Sequence, residues 1–309
     1  MASHIRIGTR RSPLAQWQAN WVSQALSEKG VSSDLVLIET RGDRMQHVGI
    51  PEIGSKGVFT EDLEHQLKAG TIDIAVHSAK DMPSELPVGF EIVAFTEREQ
   101  AHDVVVSFRQ DLSLEEPLTI GTSSTRRRAF LAHYHPQVTT CGVRGNLQTR
   151  IGKVESGEMD AVVLAFAGVH RMGMDHLIKV HLPLKQFVPA VGQGSLAVEA
   201  SKDLPADKRS LLTAILDHKD THLVISGERS FLRRLQGGCS IPAFAHGTLN
   251  RETLRIQGGL ISLNGKAKSE FIVEGHSRDA DALGHELAGK VLAEGGKEIL
   301  DEIRKQLNQ

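Results

Sequence analysis

Short apolar segments alternate with segments of helical period through the first two thirds of the chain. The segment 5–9 predicts a strand, and Ser12-Pro13 then predicts the capped start of a helix. Further strands are predicted at the apolar runs 35–38, 72–76, 90–95, 103–108, 119–122, 138–141, 160–164 and 195–200. Helical patterns lie between most of these runs. The alternation predicts a doubly wound α/β fold up to about residue 216.

The pattern changes after about residue 220. One helix leads into a glycine-flanked cysteine, and short strands at 254–257 and 269–273 then precede two final helices. This order predicts a smaller α+β domain. The stretch 40–58 is rich in glycine and has no period, so we expect a mobile lid or binding loop within it.

Length, charge and cysteine content narrow the class of protein. The chain has 309 residues, a formal net charge of −2 and two cysteines. The length fits two or three domains, and the charge argues against a nucleic-acid partner. Two cysteines make no disulfide framework. The N-terminus has no signal-peptide apolar region and no apolar run approaches membrane-spanning length, so we expect a cytoplasmic protein that does not engage a membrane.

Several predicted strands end in small or hydroxyl residues beside cations. These strand ends are Thr9-Arg10-Arg11-Ser12, His77-Ser78-Ala79-Lys80, Thr122-Ser123-Ser124-Thr125-Arg126-Arg127-Arg128 and Arg144-Gly145-Asn146. Open α/β sheets bind ligands at the carboxyl ends of their strands, where helix N-termini favour anions. Arginines in a first helical turn oppose the macrodipole. A polyanion site therefore explains the recurring clusters better than a solvated basic face, and arginine forks favour carboxylate or phosphate.

Two side chains are candidates for direct chemistry. Cys239 follows Gly237-Gly238, which leaves its sulfur little steric cover, and arginines on the preceding helix favour the thiolate. A small buried apolar residue is the alternative. Asp81, beside Lys80 at a strand end, is either half of a surface ion pair or a buried catalytic acid.

Two further patterns are weak. The segment Gly192-Gln193-Gly194-Ser195-Leu196-Ala197 has the spacing of a dinucleotide fingerprint, but we expect a strand rather than a helix to follow it. His218 and His222 could share a helix face. No third ligand is evident, so we expect no metal site.

Several longer motifs occur in a fixed order along nearly the whole chain. They are Thr9-Arg10-Arg11-Ser12-Pro13-Leu14-Ala15, Thr40-Arg41-Gly42-Asp43, Val76-His77-Ser78-Ala79-Lys80-Asp81-Met82-Pro83, Gly121-Thr122-Ser123-Ser124-Thr125-Arg126-Arg127, Arg144-Gly145-Asn146-Leu147, Val191-Gly192-Gln193-Gly194 and Gly237-Gly238-Cys239. Together they resemble the porphobilinogen deaminase (hydroxymethylbilane synthase) family.

The resemblance implies two periplasmic-binding-protein-like domains of type II and a smaller α+β C-terminal domain. Domain 1 would comprise residues 1–96 and 191–216, domain 2 residues 97–190, and domain 3 residues 217–309. It also implies a transferase. Porphobilinogen loses ammonia to give an azafulvene, which the α-carbon of the terminal pyrrole attacks. Four units are joined head to tail, and hydrolysis releases hydroxymethylbilane for tetrapyrrole and haem biosynthesis.

The resemblance assigns roles to residues of this chain. Cys239 would hold a dipyrromethane cofactor as a thioether, and Asp81 would be the catalytic acid, which bonds pyrrole N–H groups and mediates proton transfer. The other cofactor-binding positions would be Lys80, Ser123, Arg126, Arg127, Arg144 and Gly145. The substrate-binding positions would be Arg10, Ser12, Lys56, Arg150, Arg171 and Gln193. A monomer is implied, with porphobilinogen as its small-molecule partner and hand-off of product to the next enzyme.

Two positions depart from the family pattern. Cys141 stands where many relatives have arginine, and Glu52 stands where many have a second lid lysine. Both changes remove positive charge that would hold later intermediates, and Cys141 is a second, less favoured attachment candidate. A non-catalytic two-domain anion-binding or sensor protein is the alternative, since one fold serves many functions. A thiol-redox enzyme is a weaker third, because no CxxC partner is near Cys239.

Overall fold

The computed structural model describes residues 4–40, 60–238 and 240–307, and the chain divides into two compact units. The predicted lid at 43–57, with Glu52 and Lys56, lies outside the described residues, and so does Cys239.

The described elements follow in chain order. The strands are β1 (His4–Arg10), β2 (Ser32–Ile38), β3 (Ile74–Ser78), β4 (Phe90–Phe95), β5 (Asp103–Val106), β6 (Thr119–Gly121), β7 (Thr139–Cys141), β8 (Ala161–Ala165), β9 (Ile178–His181), β10 (Leu196–Ser201), β11 (Ala243–Asn250), β12 (Thr253–Ile261) and β13 (Lys268–His276). The α-helices are α1 (Pro13–Ser27), α2 (Glu61–Lys68), α3 (Thr125–Tyr134), α4 (Leu147–Glu155), α5 (Phe166–Arg171), α6 (Ala206–Leu216), α7 (Lys219–Arg234), α8 (Ala280–Val291) and α9 (Lys297–Leu307).

Unit 1, residues 1–99 and 194–222, contains a five-stranded sheet of order β2-β1-β3-β10-β4. β1 pairs in parallel with β2 and β3, whereas β10 is antiparallel to β3 and β4. Its core is aliphatic, with Ile5, Ile7, Ile74 and Val198 wholly or almost wholly buried. The late strand β10 thus completes a sheet that the start of the chain begins, as the apolar run 195–200 predicts.

Unit 2, residues 100–193 and 223–309, contains two sheets. The first has the order β7-β6-β8-β5-β9, again with one antiparallel strand, β5, in fourth place. The second is the antiparallel sheet β11-β12-β13, whose Leu260 shares a core with Leu287 of α8 and Ile303 of α9. The rings of Phe130 in α3 and Phe244 in β11 lie 5.0 Å apart, so the two sheets share core contacts.

The predicted fold class is confirmed: two doubly wound α/β sheets are followed by a smaller α+β part. The strands β9 and β11 were not predicted. β9 is a short, half-buried strand at the sheet edge, with the sequence Ile-Lys-Val-His. β11 has the sequence Ala-Phe-Ala-His-Gly-Thr-Leu-Asn, which mixes apolar, small and polar residues without strict alternation, and it pairs with β12 along its whole length.

Side-chain caps start three helices at the carboxyl ends of parallel strands. The Oγ of Ser12 accepts the N–H of Ala15 at 3.4 Å, and the Oγ of Ser124 accepts that of Arg127 at 3.4 Å. Asn146 caps α4 in the same way. The cap predicted at Ser12 is confirmed. The three caps turn the chain just where each strand ends, which leaves the residues beside them at the edge of the sheet.

Candidate active site

In unit 1, the predicted residues lie at the carboxyl ends of the neighbouring parallel strands β1 and β3. Arg10 ends β1, and Ser12 caps the helix that follows. Lys80 and Asp81 belong to a 3₁₀ turn directly after β3. Gln18 of α1 donates its Nε2–H to the hydroxyl of the last β3 residue at 2.8 Å, which ties α1 to this edge. The unit therefore brings its predicted cations and its predicted acid to one edge.

Asp81 is exposed, while Lys80 is half-buried. The expectation of a buried acid is wrong, because the 3₁₀ turn places this side chain at the surface rather than beneath the strand. A catalytic role would depend on groups that bind against it.

A cluster of buried titratable side chains lies in the same unit. The Nε2 of His77 is 3.0 Å from Oε2 of Glu199, and both side chains are buried. His77 pairs with Ala197 across the β3–β10 ladder, and Glu199 lies two residues further along β10. Glu64 of α2 is buried nearby; burial, the largest cause, and the charge of Glu199 raise its pKa. The His77–Glu199 bond joins the strand that leads to Asp81 to the return strand.

In unit 2, two predicted arginines enclose a carboxylate that was not predicted. An Nη of Arg126 donates to one oxygen of Asp103 at 2.7 Å, and an Nη of Arg127 donates to the other at 2.7 Å. The second Nη of each arginine donates to a backbone carbonyl, that of Val188 or Val163, at 2.9 Å. Asp103 is 0% exposed, Arg126 4% and Arg127 6%. The arginine pair, Arg126 and Arg127, is therefore inside the protein.

The charges of this cluster do not balance. Burial alone would raise the pKa of Asp103, but the charges of and hydrogen bonds from Arg126 and Arg127 hold that pKa well below its usual range. Burial lowers the pKa of Arg126, which remains charged at any physiological pH. Two buried cations thus face one carboxylate. In the described part of the chain, the buried Nε of Arg127 has no acceptor. One further anionic oxygen would satisfy both the charge and this donor.

Gln193 also joins the cluster. Its Nε2 donates to the carbonyl of Ala101 at 2.6 Å and to Oδ1 of Asp103 at 2.9 Å, and its side chain is buried. The sequence assigned Gln193 to substrate. The structure places its amide against Asp103, so its visible contact fixes the carboxylate between the arginines.

The remaining predicted residues of unit 2 follow β6, β7 and β8. The hydroxyl of Ser123 donates to the carbonyl of Val143 at 2.7 Å and accepts its N–H at 3.1 Å, which joins the loops after β6 and β7. Gly145 has a φ of +105°, and a Cβ there would lie 2.6 Å from the side chain of Thr149. Its carbonyl accepts the Nε–H of Arg150 at 2.8 Å.

Arg144 lies in the loop after β7, and Arg171 ends α5, the helix after β8. Both are half-buried. Because β6 lies between β7 and β8 and is parallel to both, the carboxyl ends of the three strands share one edge. The structure thus brings the arginines predicted from separate motifs to one edge of one sheet.

Asp103 is the residue that the sequence analysis missed. It begins a strand, a position that lies at the amino edge of a sheet when the strand is parallel to its neighbours. β5 is antiparallel, however, and Asp103 pairs with Ala165 at the carboxyl end of β8. The available signal was an acid at the start of an otherwise all-valine strand, where charge is costly without a partner.

The Gly-Gln-Gly segment is a turn rather than a dinucleotide site. Gly194 has a φ of +102°, and a Cβ there would lie 2.3 Å from the carbonyl oxygen of Glu99. A strand follows directly, as predicted. Among residues 4–40, 60–238 and 240–307, no group of three or more His, Cys, Asp or Glu side chains could hold a metal ion. His218 bonds Thr221, and His222 bonds Asp217.

No helix within the described ranges is both long enough and apolar enough to cross a membrane.

Doubly wound sheets with cations gathered at their strand ends define a class of α/β proteins that bind polyanionic small molecules. Residues 5–208 match the family model for the dipyrromethane cofactor-binding domain of porphobilinogen deaminase, and residues 223–293 match the model for its C-terminal domain. The porphobilinogen deaminase of Desulfosudis oleivorans is 50% identical over 98% of each chain, and that of Cytophaga hutchinsonii is 48% identical over 100% of each chain. The chain belongs to the porphobilinogen deaminase family.

Among solved structures, the periplasmic VFT2 domain of Bordetella pertussis BvgS is similar at 14% identity, over 69% of this chain and 85% of that chain, with a TM-score of 0.41. That likeness is too low to bear on function. The family membership disfavours the non-catalytic binding protein, because both the cofactor-binding domain and the C-terminal domain are present.

Proposed function

We propose that the chain is an ammonia-releasing transferase that joins four porphobilinogen molecules head to tail and releases hydroxymethylbilane for tetrapyrrole and haem biosynthesis. The match of both family domains across residues 5–208 and 223–293 carries this proposal. A dipyrromethane cofactor supplies, when bound, the free pyrrole carbon to which the first unit is added.

The residues present fit that cofactor. Each pyrrole unit carries carboxylate side chains. The arginine pair holds an excess of buried positive charge, and the Nε of Arg127 has no acceptor among the described residues. Arg144 and Gly145 lie on the next loop at the same edge. These residues, with Ser123, would hold the cofactor carboxylates, and a charged hydrogen bond of this kind contributes about 1.5–3 kcal/mol. Cys239 would carry the thioether.

The remaining predicted residues would hold and activate the substrate. Arg10 and Ser12 in unit 1, and Arg150, Arg171 and Gln193 in unit 2, would bind porphobilinogen or the growing chain, together with Lys56. Asp81 would accept pyrrole N–H bonds, stabilise the cation that forms as ammonia leaves, and take up the proton released by ring coupling. The exposed position of Asp81 leaves its oxygens accessible to a pyrrole unit bound at this edge of the sheet.

Intact mass spectrometry tests the attachment. The purified chain and its Cys141→Ser variant should carry an adduct of two condensed porphobilinogen units, and Cys239→Ser should not. Added porphobilinogen should then produce a ladder of one-unit increments. An unmodified chain that gains no adduct and releases no ammonia would overturn the proposal. An adduct that survives in Cys239→Ser but not in Cys141→Ser would move the attachment to the second cysteine.

Asp81→Asn tests the catalytic assignment. We expect ammonia release to fall about 10²–10⁴-fold, because the amide can neither neutralise the cation nor accept the proton. Circular dichroism should stay unchanged, since the side chain is exposed and its loss leaves the packing intact. Normal turnover in this variant would remove Asp81 from the mechanism.

We also propose that the enzyme is a cytoplasmic monomer of three domains, comprising residues 1–96 with 191–216, residues 97–190 and residues 217–309. Hand-off of the product to the next enzyme of the pathway belongs to the same proposal. Sedimentation at several concentrations tests the monomer, and limited proteolysis tests the boundaries, which should be cut near 96, 190 and 216.

A further inference from the structure

The guanidinium groups of Arg126 and Arg127 lie side by side inside the protein. Each donates to a different oxygen of Asp103 at 2.7 Å, so the two cations are held within a few ångströms of each other. Like charges repel more strongly in a protein interior than in water, because the effective dielectric constant is lower. The carboxylate between them is what makes this arrangement stable.

The position of Asp103 is itself fixed on several sides. Gln193 donates to the same oxygen as Arg127, at 2.9 Å, and its amide is held by the carbonyl of Ala101. The residue begins β5, which is paired on both sides, with β8 and β9. Asp103 is fully buried and therefore does not meet a ligand directly.

We propose that Asp103 is the positioning residue of the arginine pair: its negative charge holds the two guanidiniums together and in register for the carboxylates of the tetrapyrrole. This inference rests on the proposed function and deepens it. Among the described residues, Asp103 is the one carboxylate paired with these two guanidiniums, which leaves one positive charge of the pair for a ligand carboxylate.

Two substitutions distinguish the effect of the charge of Asp103 from the effect of its volume. Asp103→Asn keeps the volume but removes the charge and turns an amide N–H₂ toward one guanidinium. Asp103→Glu keeps the charge but adds a methylene to a packed site. If packing were the role, Asn would be the better substitute. If charge positions the arginines, Glu is the better one.

The readout is the rate at which the purified chain gains its two-unit adduct from porphobilinogen, followed by intact mass. We expect Asp103→Asn to load at least tenfold more slowly than wild type, and Asp103→Glu to load faster than Asp103→Asn. Asp73→Asn is the matched control, because Asp73 is also a buried carboxylate between two cations, Arg6 and Lys208. It should load at the wild-type rate.

Chemical rescue guards against a variant that loses activity only through misfolding. Asp103→Ala leaves a space between the guanidiniums that formate can fill. Formate should restore loading at least fivefold in Asp103→Ala, and neutral formamide should not. Asp103→Asn loading as fast as Asp73→Asn, or an Asn variant superior to Glu, would overturn the proposal. So would a foldable Asp103→Ala that formate leaves unchanged.

A second measurement, the binding of succinate, distinguishes failure of this inference from failure of the proposed function. If the wild-type chain gains no adduct and releases no ammonia, the proposed function fails, and succinate binding to the unmodified chain then tests Asp103. The dissociation constant for succinate should be at least tenfold higher in Asp103→Asn than in Asp73→Asn. Equal constants, or no binding to wild type, would overturn the positioning role.

Discussion

Each unit holds a buried carboxylate between two cations. The two clusters differ in how far the side chains of those cations are exposed to solvent. In unit 1, Asp73 accepts Nε–H of Arg6 at 3.0 Å and Nζ–H of Lys208 at 2.9 Å. The Arg6 side chain is 40% exposed and that of Lys208 25%. In unit 2, Asp103 is held by arginines whose side chains are 5% and 7% exposed. Both carboxyl pKa values are lowered.

The difference shows which cluster can bind a ligand. Water screens the excess positive charge around Asp73, so that cluster is complete as it stands. The excess charge around Asp103 is buried, where an anion would be held strongly. The positions of the two carboxylates in their sheets agree with this difference. Asp73 directly precedes β3, at its amino end, whereas Asp103 lies at the carboxyl edge of its sheet. Buried cations, rather than a buried carboxylate, therefore distinguish the proposed binding site from the Asp73 cluster.

The largest effect should come from Asp103→Asn. Removing one partner from a buried ion pair costs about 3–5 kcal/mol, because the charge left behind has no compensation. We therefore expect the free energy of local opening in unit 2 to fall by that amount. Hydrogen exchange of the amides of β5 and α3, followed by mass spectrometry, measures it. A loss below about 1 kcal/mol would mean that the arginines find other partners.

A double-mutant cycle sharpens this prediction. In an Arg127→Met background only one cation faces Asp103, so Asp103→Asn should cost less than it does in the wild-type chain. The coupling should be about 1–3 kcal/mol. Additive effects would mean that Asp103 and Arg127 act independently, despite their 2.7 Å contact.

Asp73→Asn should have a smaller effect, of about 1–2 kcal/mol at pH 7, since exposed cations are solvated with or without their partner. The pKa of Asp73 is lowered from 3.8 to about 2, through bonds from Arg6 and Lys208 that outweigh burial. The contribution of Asp73 to the free energy of unfolding is therefore complete above about pH 4, and it is lost as the pH falls toward 2. Both tryptophans, Trp17 and Trp21, lie in α1, so their fluorescence reports the unfolding of unit 1. An Asp73→Asn deficit that persists at pH 2 would contradict the ion-pair origin.

Much of the fold could be predicted because it depends on local patterns. Ser12 and Ser124 start helices through their own side chains, and the apolar runs became strands within a few residues of the predicted bounds. The edge strand β9 could not be predicted in this way. Its residues are only half-buried, and it is a strand because β5 offers it a partner.

The residues of the candidate site differ in the same way: some could be predicted from local sequence, and others depend on tertiary structure. Arg126 and Arg127 could be predicted, because their motif lies at a strand end that any parallel sheet would expose. Asp103 could not, because its place depends on the antiparallel direction of β5, which is a tertiary property. For Asp81 the sequence left a surface position and a buried one open, and the one-turn 3₁₀ helix after β3 decides between them.

The smallest effect, and the only stabilising one, should come from Glu64→Gln. Glu64 is a buried carboxylate that, among residues 4–40, 60–238 and 240–307, forms no ion pair comparable to those of Asp73 and Asp103. Burial raises its pKa above 4.5, Glu199 and Glu61 raise it further, and the nearby Thr60 and His77 oppose the shift. The folded chain thus keeps a proton that the unfolded chain loses. The contribution of Glu64 to stability is therefore most favourable below pH 4.5, and it falls as the pH rises through the raised pKa.

Glu64→Gln removes this pH-dependent loss of stability. The thermal midpoint of unit 1 should therefore rise by about 1–3 °C at pH 7 and not at all at pH 4. A lower thermal midpoint at pH 7 would show that Glu64 is ionised and stabilised by partners in the folded chain. Glu64 would then resemble Asp73 rather than contrast with it.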